Sequence, residues 1–111
     1  MVQFPERLDR SFGALSDPTR RAILVRLARG EASISELGEG FEMTLTGLKK
    51  HVQILEEAGL VTTEKIGRVR HCKLGPRRLD DVDEWVAAYR AMLNERLDHL
   101  EDFLERTKGK D

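Results

Sequence analysis

The chain has 111 residues, which fits one compact domain, and its hydrophobic content of 40% excludes a wholly disordered protein. Its formal charge is unevenly distributed: residues 44–78 carry 8 Lys or Arg against 3 Asp or Glu, and residues 79–111 carry 5 against 10. One cysteine excludes an internal disulfide framework, and no apolar run is long enough for a membrane span or a signal peptide. We therefore expect a single cytoplasmic domain, residues 1–111, with a localised basic face that can attract phosphate.

Two helices are predicted before residue 30. Residues 6–14 form the first, with Leu8 and Phe12 on one face at helical spacing. Pro18 suits the first position of the second helix, and either residue of the Ser-Asp pair before it can serve as the N-cap. Gly30 suits the end of this helix.

Two further helices, residues 33–41 and 44–58, are predicted close together. The first begins with a capping-box pair, Ser33 and Glu36, and the second begins after Thr44 as its N-cap. Apolar residues recur along both at spacings of three or four, so each helix has one face for a core. The short connection predicts a helix-turn-helix over residues 33–58.

The periodicity then changes from helical to alternating. Residues 60–74 hold β-branched residues on both sides of Gly67, which predicts a two-stranded hairpin with its tip there. We call residues 60–74 the wing. Arg70 and Lys73 are expected on the same face of it.

The last predicted helix, residues 79–106, carries more apolar surface than a domain of this size can cover. A second copy of the chain is the natural cover, so we predict a homodimer. An alternative is a ligand pocket built from Trp85, Tyr89 and Met92, although such spacing is typical of packing. The predicted dimer interface comprises Leu8, Phe12, Val82, Trp85, Val86, Tyr89, Leu93, Leu97 and Leu100.

Together these elements predict a mainly α fold with a small β hairpin in the order α-α-α-α-β-β-α. This is a winged helix-turn-helix, dimerising through the terminal helices. In this arrangement the second helix of the pair enters the DNA major groove, and the wing reaches the backbone or the minor groove.

Several phrases of the sequence also carry a family resemblance. LSDPTRRAILVRL, then SISEL, then KKHVQILEEAGLV followed by a short basic hairpin, resembles the ArsR-type family of dimeric winged-helix repressors. The segment GRVRHCKLGPRRL is similar to a branch of that family without metal sites, often thought of as autorepressors. The resemblance implies a repressor, binding double-stranded DNA at an inverted repeat.

The resemblance further implies that residues 44–58 are the recognition helix. Lys49 and Lys50 could pair with guanine edges or phosphates, and Arg68 beside the wing tip suits a phosphate or a narrow minor groove. Leu45 could touch a thymine methyl group, and Gly47 could allow close approach of the backbone. The predicted DNA contacts are Thr44, Leu45, Thr46, Gly47, Lys49, Lys50, Lys65, Arg68 and Arg70.

No cofactor or metal is expected. The helix before the recognition helix has no cysteine, which excludes the thiolate site that metal-sensing members of the family place there. Two alternatives stay open. One is an interfacial metal site from His99 and Asp102 with Asp80 and Asp83. The other is a redox role for Cys72, whose cationic neighbours would lower the thiol pKa.

Other functional classes are less well supported. The three histidines lie in separate elements and nothing assembles a nucleophile with a base, so no catalytic residue is expected and an enzyme is excluded. A protein-interaction module and a DNA-binding activator remain as alternatives. His51 can face a phosphate or pack between helices, and Arg20 and Arg21 can touch the DNA backbone or simply lie at the surface.

Overall fold

The computed structural model describes residues 5–77 and 79–108. The chain divides into two compact units, of which the first ends at Asp80 and the second begins at Asp81. Whether both belong to one domain over residues 1–111 stays a prediction. The elements in chain order are α1 Pro5–Leu15, α2 Pro18–Leu27, β1 Ala32–Ser33, α3 Ile34–Gly38, α4 Leu45–Glu57, β2 Val61–Ile66, β3 Val69–Leu74 and α5 Asp80–Lys108.

The predicted fold class is confirmed, with one additional element. The described residues are mostly helical and hold a small antiparallel sheet in the order β1-β3-β2. The additional strand is β1, where Ala32 pairs with Cys72 and Ser33 pairs with His71. The sequence could not reveal β1, since two residues are too few to show an alternating pattern.

Side-chain caps fix the starts of the helices. Asp17 is the N-cap of α2, and its Oδ2 accepts a hydrogen bond of 3.1 Å from the backbone N–H of Arg20. The predicted capping box at α3 is confirmed, because Ser33 and Glu36 exchange hydrogen bonds of 2.8 and 3.1 Å. However, α3 ends at Gly38 rather than at residue 41, because the glycines that follow its first turn weaken a helix.

The predicted N-cap and stop of α4 are also present. The Thr44 side chain accepts a hydrogen bond from the N–H of Gly47. At the other end Gly59 has a φ of +78°, a left-handed conformation that glycine adopts without a steric penalty. The N–H of Leu60 then reaches the carbonyl of Leu55, which closes the helix with a Schellman motif.

The core of the first unit is formed by the apolar faces of the helices and one face of the sheet. α4 contributes Leu48, Val52 and Leu55, which are almost completely buried, and so its opposite face points outward. Partly buried Phe41, beyond the end of α3, also packs on the core. The core residues are Ala14, Ile23, Leu27, Ala32, Ile34, Leu37, Leu48, Val52, Leu55, Ala58, Leu60, Val61 and Cys72.

The wing is a tight hairpin in which Ile66 pairs with Val69. Gly67 takes the first central position of the turn with a φ of +65°, as a type II′ turn requires. The expectation that Arg70 and Lys73 share a face is wrong. They lie three positions apart on one strand, and strand side chains alternate, so they point to opposite faces.

The second unit contains a single described helix, α5. It begins at Asp80 rather than at the predicted residue 79, because Leu79 has a left-handed φ of +66° and packs on the core of the first unit. Within α5 the rings of Trp85 and Tyr89 stack at a centroid distance of 5.4 Å. Among the described residues, no helix combines the length and the apolar character that a membrane span needs.

Candidate DNA-binding face

The outward face of α4 carries polar and exposed side chains in register with one another. Leu45, Lys49 and Gln53 follow at spacings of four, which places them on one strip of the helix. All three are exposed, and Leu45 has 46% of its surface accessible although it is apolar. The strip is therefore available for contact along more than two helical turns.

This strip borders a cleft between α4 and the wing. A cavity of about 340 Å³ brings together Lys49 from α4 with Lys65, Arg68 and Arg70 from the wing. We call this cavity, with its four cationic residues, the basic cleft. Its remaining lining residues are Ile34, Ser35, Leu45 and Val69.

Like charges lie together in the basic cleft. Lys65 and Arg70 are direct cross-strand partners, a pairing of like charges that weakens a sheet. Across residues 5–77 and 79–108, no ion pair with a carboxylate neutralises Lys49, Lys65 or Arg68. The cleft thus holds several cations together without a fixed counter-charge, which favours an anionic partner.

Arg70 is tied to α4 through a threonine on the neighbouring strand. Its guanidinium donates a 2.9 Å hydrogen bond to the Thr63 hydroxyl, which in turn donates a 2.9 Å hydrogen bond to the Glu56 carboxylate. Glu56 lies on α4, so the chain of hydrogen bonds joins the helix to the wing. A second cavity of about 330 Å³, also lined by Lys49 and Gln53, lies over this network.

Comparison with known proteins identifies this arrangement. A model of a helix-turn-helix domain family matches residues 15–64. The transcriptional repressor SdpR of Bacillus subtilis is 31% identical over 75 residues, which are 68% of this chain and 83% of that protein. The crystal structure of an ArsR family transcriptional regulator is similar with a TM-score of 0.80 and 44% identity, covering 85% of this chain and 97% of the other. The chain belongs to the ArsR family.

A further solved structure gives the fold its full name. The homodimeric winged helix-turn-helix DNA-binding domain from Mycobacterium bovis is 26% identical, with a TM-score of 0.61 over 85% of this chain and 84% of the other. The family resemblance predicted from the sequence is thereby confirmed. As an ArsR-family member, the chain is a DNA-binding transcriptional regulator and not an enzyme.

The predicted DNA contacts of this ArsR-family chain fall into two groups. Five of them line the basic cleft, namely Leu45, Lys49, Lys65, Arg68 and Arg70. Thr44, Thr46 and Lys50 are exposed but lie outside the lining of the cleft, and Gly47 is half-buried. Their contact with DNA stays a prediction.

Sequence reasoning missed two polar residues of this face. Gln53 continues the strip of Leu45 and Lys49 by one more turn, and its amide suits the edge of an adenine. The i, i+4 spacing from Lys49 could have revealed it. Ser35, at the start of α3, lines the basic cleft through folding, since nothing in its local sequence places it beside the wing.

The two arginines at the start of α2 have partners inside the protein. Arg20 donates hydrogen bonds of 2.8 and 2.9 Å to the carbonyls of Gly13 and Ala14, and Arg21 donates one to the carbonyl of Leu15. These carbonyls belong to the last turn of α1, where a helix has no following turn to supply N–H donors, and the carbonyl of Gly13 also accepts from the backbone N–H and the hydroxyl of Ser16. Both arginines therefore cap α1 in the structure.

The sensing alternatives receive no support from the site. Burial raises the pKa of the Cys72 thiol and Glu56 acts in the same direction, although the charge of Arg70 lowers it. The expected net lowering of the thiol pKa is therefore wrong, because burial outweighs the charge of Arg70, and Cys72 is a buried core residue. In the described ranges no three His, Cys, Asp or Glu residues form a group that could hold a metal, including those around His99 and Asp102.

The predicted dimer residues lie on α1 and α5. Phe12 and most of the apolar residues of α5 are exposed, whereas Leu8, Val82 and Val86 are half-buried. The assignment of these positions to an interface stays a prediction. The predicted interface residues of α5 that are exposed are Trp85, Tyr89, Leu93, Leu97 and Leu100. Three further apolar residues of α5 that are not in the predicted set are also exposed: Met92, Phe103 and Leu104.

Proposed function

We propose that this ArsR-family regulator is a homodimeric repressor that binds an inverted repeat in DNA through α4 and the wing. The observation that carries the proposal is the basic cleft, where four cations from two elements meet and three of them, Lys49, Lys65 and Arg68, form no ion pair with a carboxylate among the described residues. DNA phosphates would neutralise them and relieve their mutual repulsion. A repressor must reach chromosomal DNA, and the proposed function therefore agrees with the cytoplasmic location expected from the sequence.

The roles of the residues follow from their positions on the two elements. Lys49, with Leu45 and Gln53 on the same strip of α4, faces the base edges when α4 lies in the major groove. Arg68 lies at the wing tip, where a long planar cation reaches a phosphate or an adjacent minor groove. Lys65 and Arg70 add further positive charge to the basic cleft.

A homodimer is supported by the surface of α5. This helix exposes large apolar side chains along much of its length, and contiguous apolar surface of this kind marks an interaction site. The Mycobacterium bovis domain is homodimeric, and SdpR is a repressor. A twofold dimer would set two α4 helices about one DNA turn apart, roughly 34–36 Å, which matches an inverted repeat.

The DNA sequence and its symmetry can be tested by selecting bound fragments from a random pool of duplex DNA. We expect the enriched fragments to share two half-sites in inverted orientation whose centres lie about 10 base pairs apart, or a multiple of that. Enrichment of a single half-site or of direct repeats would contradict the twofold arrangement. A pool without enrichment would contradict sequence-specific binding.

The residues of the face can be tested with Lys49→Glu combined with Arg68→Glu. On the selected fragment we expect the dissociation constant to rise at least about 100-fold, since two contacts are replaced by repulsion. The matched control for each single substitution is Lys73→Glu, which makes the same charge change on the opposite face of the wing. A loss with Lys73→Glu equal to the loss with Lys49→Glu alone or Arg68→Glu alone would show that net charge, and not this face, governs binding.

A further inference from the structure

One side chain at the start of α2 joins three helices. Besides its two hydrogen bonds to the last turn of α1, Arg20 uses its Nη1 atom against His51 Nδ1 on α4, at 3.2 Å. Its own backbone N–H is held by the Asp17 carboxylate. Arg20 therefore connects the end of α1 and the start of α2 to the middle of α4.

The chemistry of this contact specifies the protonation state of His51. A guanidinium can only donate hydrogen bonds, so Nδ1 must accept one, and the ring proton of a neutral imidazole must then lie on Nε2. Protonation would place a hydrogen on Nδ1 as well. Two donors, each on a cation, would then face each other, and the contact would be lost.

We propose that His51 is a positioning residue for DNA binding, which holds α4 against the junction of α1 and α2 through Arg20 only while its imidazole is neutral. His51 directly follows Lys49 and Lys50 in α4 but is itself mostly buried, with 23% of its side chain accessible. It therefore acts on the DNA-binding face by orienting the helix and does not itself contact DNA. The proposal rests on the assignment of α4 as the recognition helix.

The charges around His51 work in opposite directions. Both contacting groups are at the start of α2: Arg20 in its first turn, which disfavours a charged imidazole, and the N-cap Asp17, whose Oδ2 is 3.9 Å from Nδ1 and favours it. The groups that α1 contributes are the uncharged carbonyl oxygens that accept hydrogen bonds from Arg20. On α4 itself, the neighbours of His51 one turn away carry no charge; they are Gly47, Leu48, Ile54 and Leu55.

Asp17 keeps its charge throughout the range in which a histidine titrates. Partial desolvation raises the pKa of its carboxyl, but hydrogen bonds from the N–H groups of Arg20 and Thr19, with the nearby His51 and Arg20, lower it overall below the usual 3.8. A protonated His51 would thus turn from Arg20 toward a permanently ionised Asp17. The ion pair would replace the link and leave Arg20 Nη1 without its acceptor.

Opposite pH dependences separate the two roles of His51. As a positioning residue, it loses its contact on protonation, so DNA affinity falls as the solution becomes acidic. As a phosphate contact, it would gain a charge-assisted hydrogen bond on protonation, so affinity would rise. The sign of the change therefore tests the proposal directly.

The experiment compares the wild type with His51→Asn and His51→Leu on the selected DNA fragment between about pH 8 and about pH 5.5, the range of histidine titration. Asn places its Oδ1 near the position of Nδ1, so it can still accept from Arg20 and does not titrate. Leu offers no acceptor. His71 and His99 are present in every variant, so their contribution cancels in the ratio of wild type to His51→Asn.

We expect His51→Asn to bind like the wild type at pH 8, and the wild type to lose about 3- to 10-fold more affinity than His51→Asn on acidification. His51→Leu should bind more weakly than both at pH 8 while remaining folded by circular dichroism. Parallel profiles for the wild type and His51→Asn, or stronger wild-type binding in acid, would overturn the proposal.

A second measurement does not depend on DNA. Long-range nitrogen–proton correlation spectra report the tautomer of each histidine ring, and His51→Asn identifies the signal by its disappearance. We expect the Nε2–H tautomer at pH 8; the Nδ1–H tautomer would refute the link to Arg20 even if no DNA bound. Failure of the wild type to bind any fragment, with the expected tautomer present, would contradict the role in DNA binding and leave the link itself intact.

Discussion

At the scale of single residues, two arginines of the wing differ in how the protein holds them. Arg68 is exposed at the wing tip, whereas Arg70, two positions on, is held by Thr63 and through it by Glu56. The order that this network imposes on Arg70 lowers the conformational entropy that binding to a phosphate would otherwise cost. We therefore expect Thr63 to hold the Arg70 guanidinium in one orientation for contact with a phosphate.

The role of Thr63 predicts the effect of Thr63→Val, which removes the hydroxyl and preserves the shape. We expect DNA affinity to fall about 3- to 10-fold, with a change in the free energy of unfolding within about 1 kcal/mol, because these hydrogen bonds are exposed. Titration calorimetry with the selected DNA fragment, together with urea unfolding, measures both quantities.

The neighbouring Thr62→Val is a matched control for that variant. The Thr62 hydroxyl oxygen is buried and has no hydrogen-bond partner among the described residues, so its removal should leave stability unchanged or raise it slightly. DNA affinity should stay unchanged. Equal affinities for Thr62→Val and Thr63→Val would argue against a role for the Thr63 network.

At the scale of elements, the two ends of α4 determine whether this proposed DNA-binding helix is already formed in the absence of DNA. Its N-terminus is capped by Thr44 and its C-terminus is closed by the Schellman motif at Gly59. The hydroxyl oxygen of Thr44 accepts a hydrogen bond from the N–H of Gly47, so one of its two acceptor sites is not available for the predicted contact with DNA.

This cap predicts a loss of stability in Thr44→Ala. The expected decrease in the free energy of unfolding is about 1 kcal/mol, because the N–H of Gly47 would lose its side-chain acceptor and could bond only to solvent. Thermal unfolding without DNA measures it, and Thr44→Ser, which retains the capping oxygen, serves as the control. A Thr44→Ala variant as stable as Thr44→Ser would mean that the cap contributes nothing measurable.

At the scale of the whole molecule, the basic and the acidic segment of the sequence form different parts of the structure. The basic segment supplies the basic cleft, and the acidic C-terminal segment supplies α5, with apolar side chains between its charges. The proposed dimer would use the apolar residues and leave the acidic ones in water.

The proposed interface predicts that Leu93→Asp combined with Leu97→Asp dissociates the dimer. Both side chains are exposed in the chain, so the fold of the monomer should survive while burial of two carboxylates disfavours association. Sedimentation velocity should give a monomer, and binding to the inverted repeat should weaken accordingly. Asn94→Asp is the control on the same helix, and a dimer in both variants would show that the interface lies elsewhere.

The sequence by itself determined the local features. Helical periodicity, caps at Ser33 and Thr44 and the glycine at 67 suffice to predict the five helices, the wing and the family, because each signal lies within a few neighbouring residues. The shortened α3 and the strand β1 were not predicted, since glycines at a helix end and pairing with a distant strand override the local pattern.

Only the tertiary structure decided which polar side chains act together. The contacts of Arg20 with His51, of Thr63 with Glu56, and of Lys49 with the wing join residues from different elements. The sequence shows such residues as separate cations and acceptors, because a hydrogen bond between elements depends on how their apolar faces pack. Packing buried one side of α4 and turned the other toward the wing, and so it formed the basic cleft.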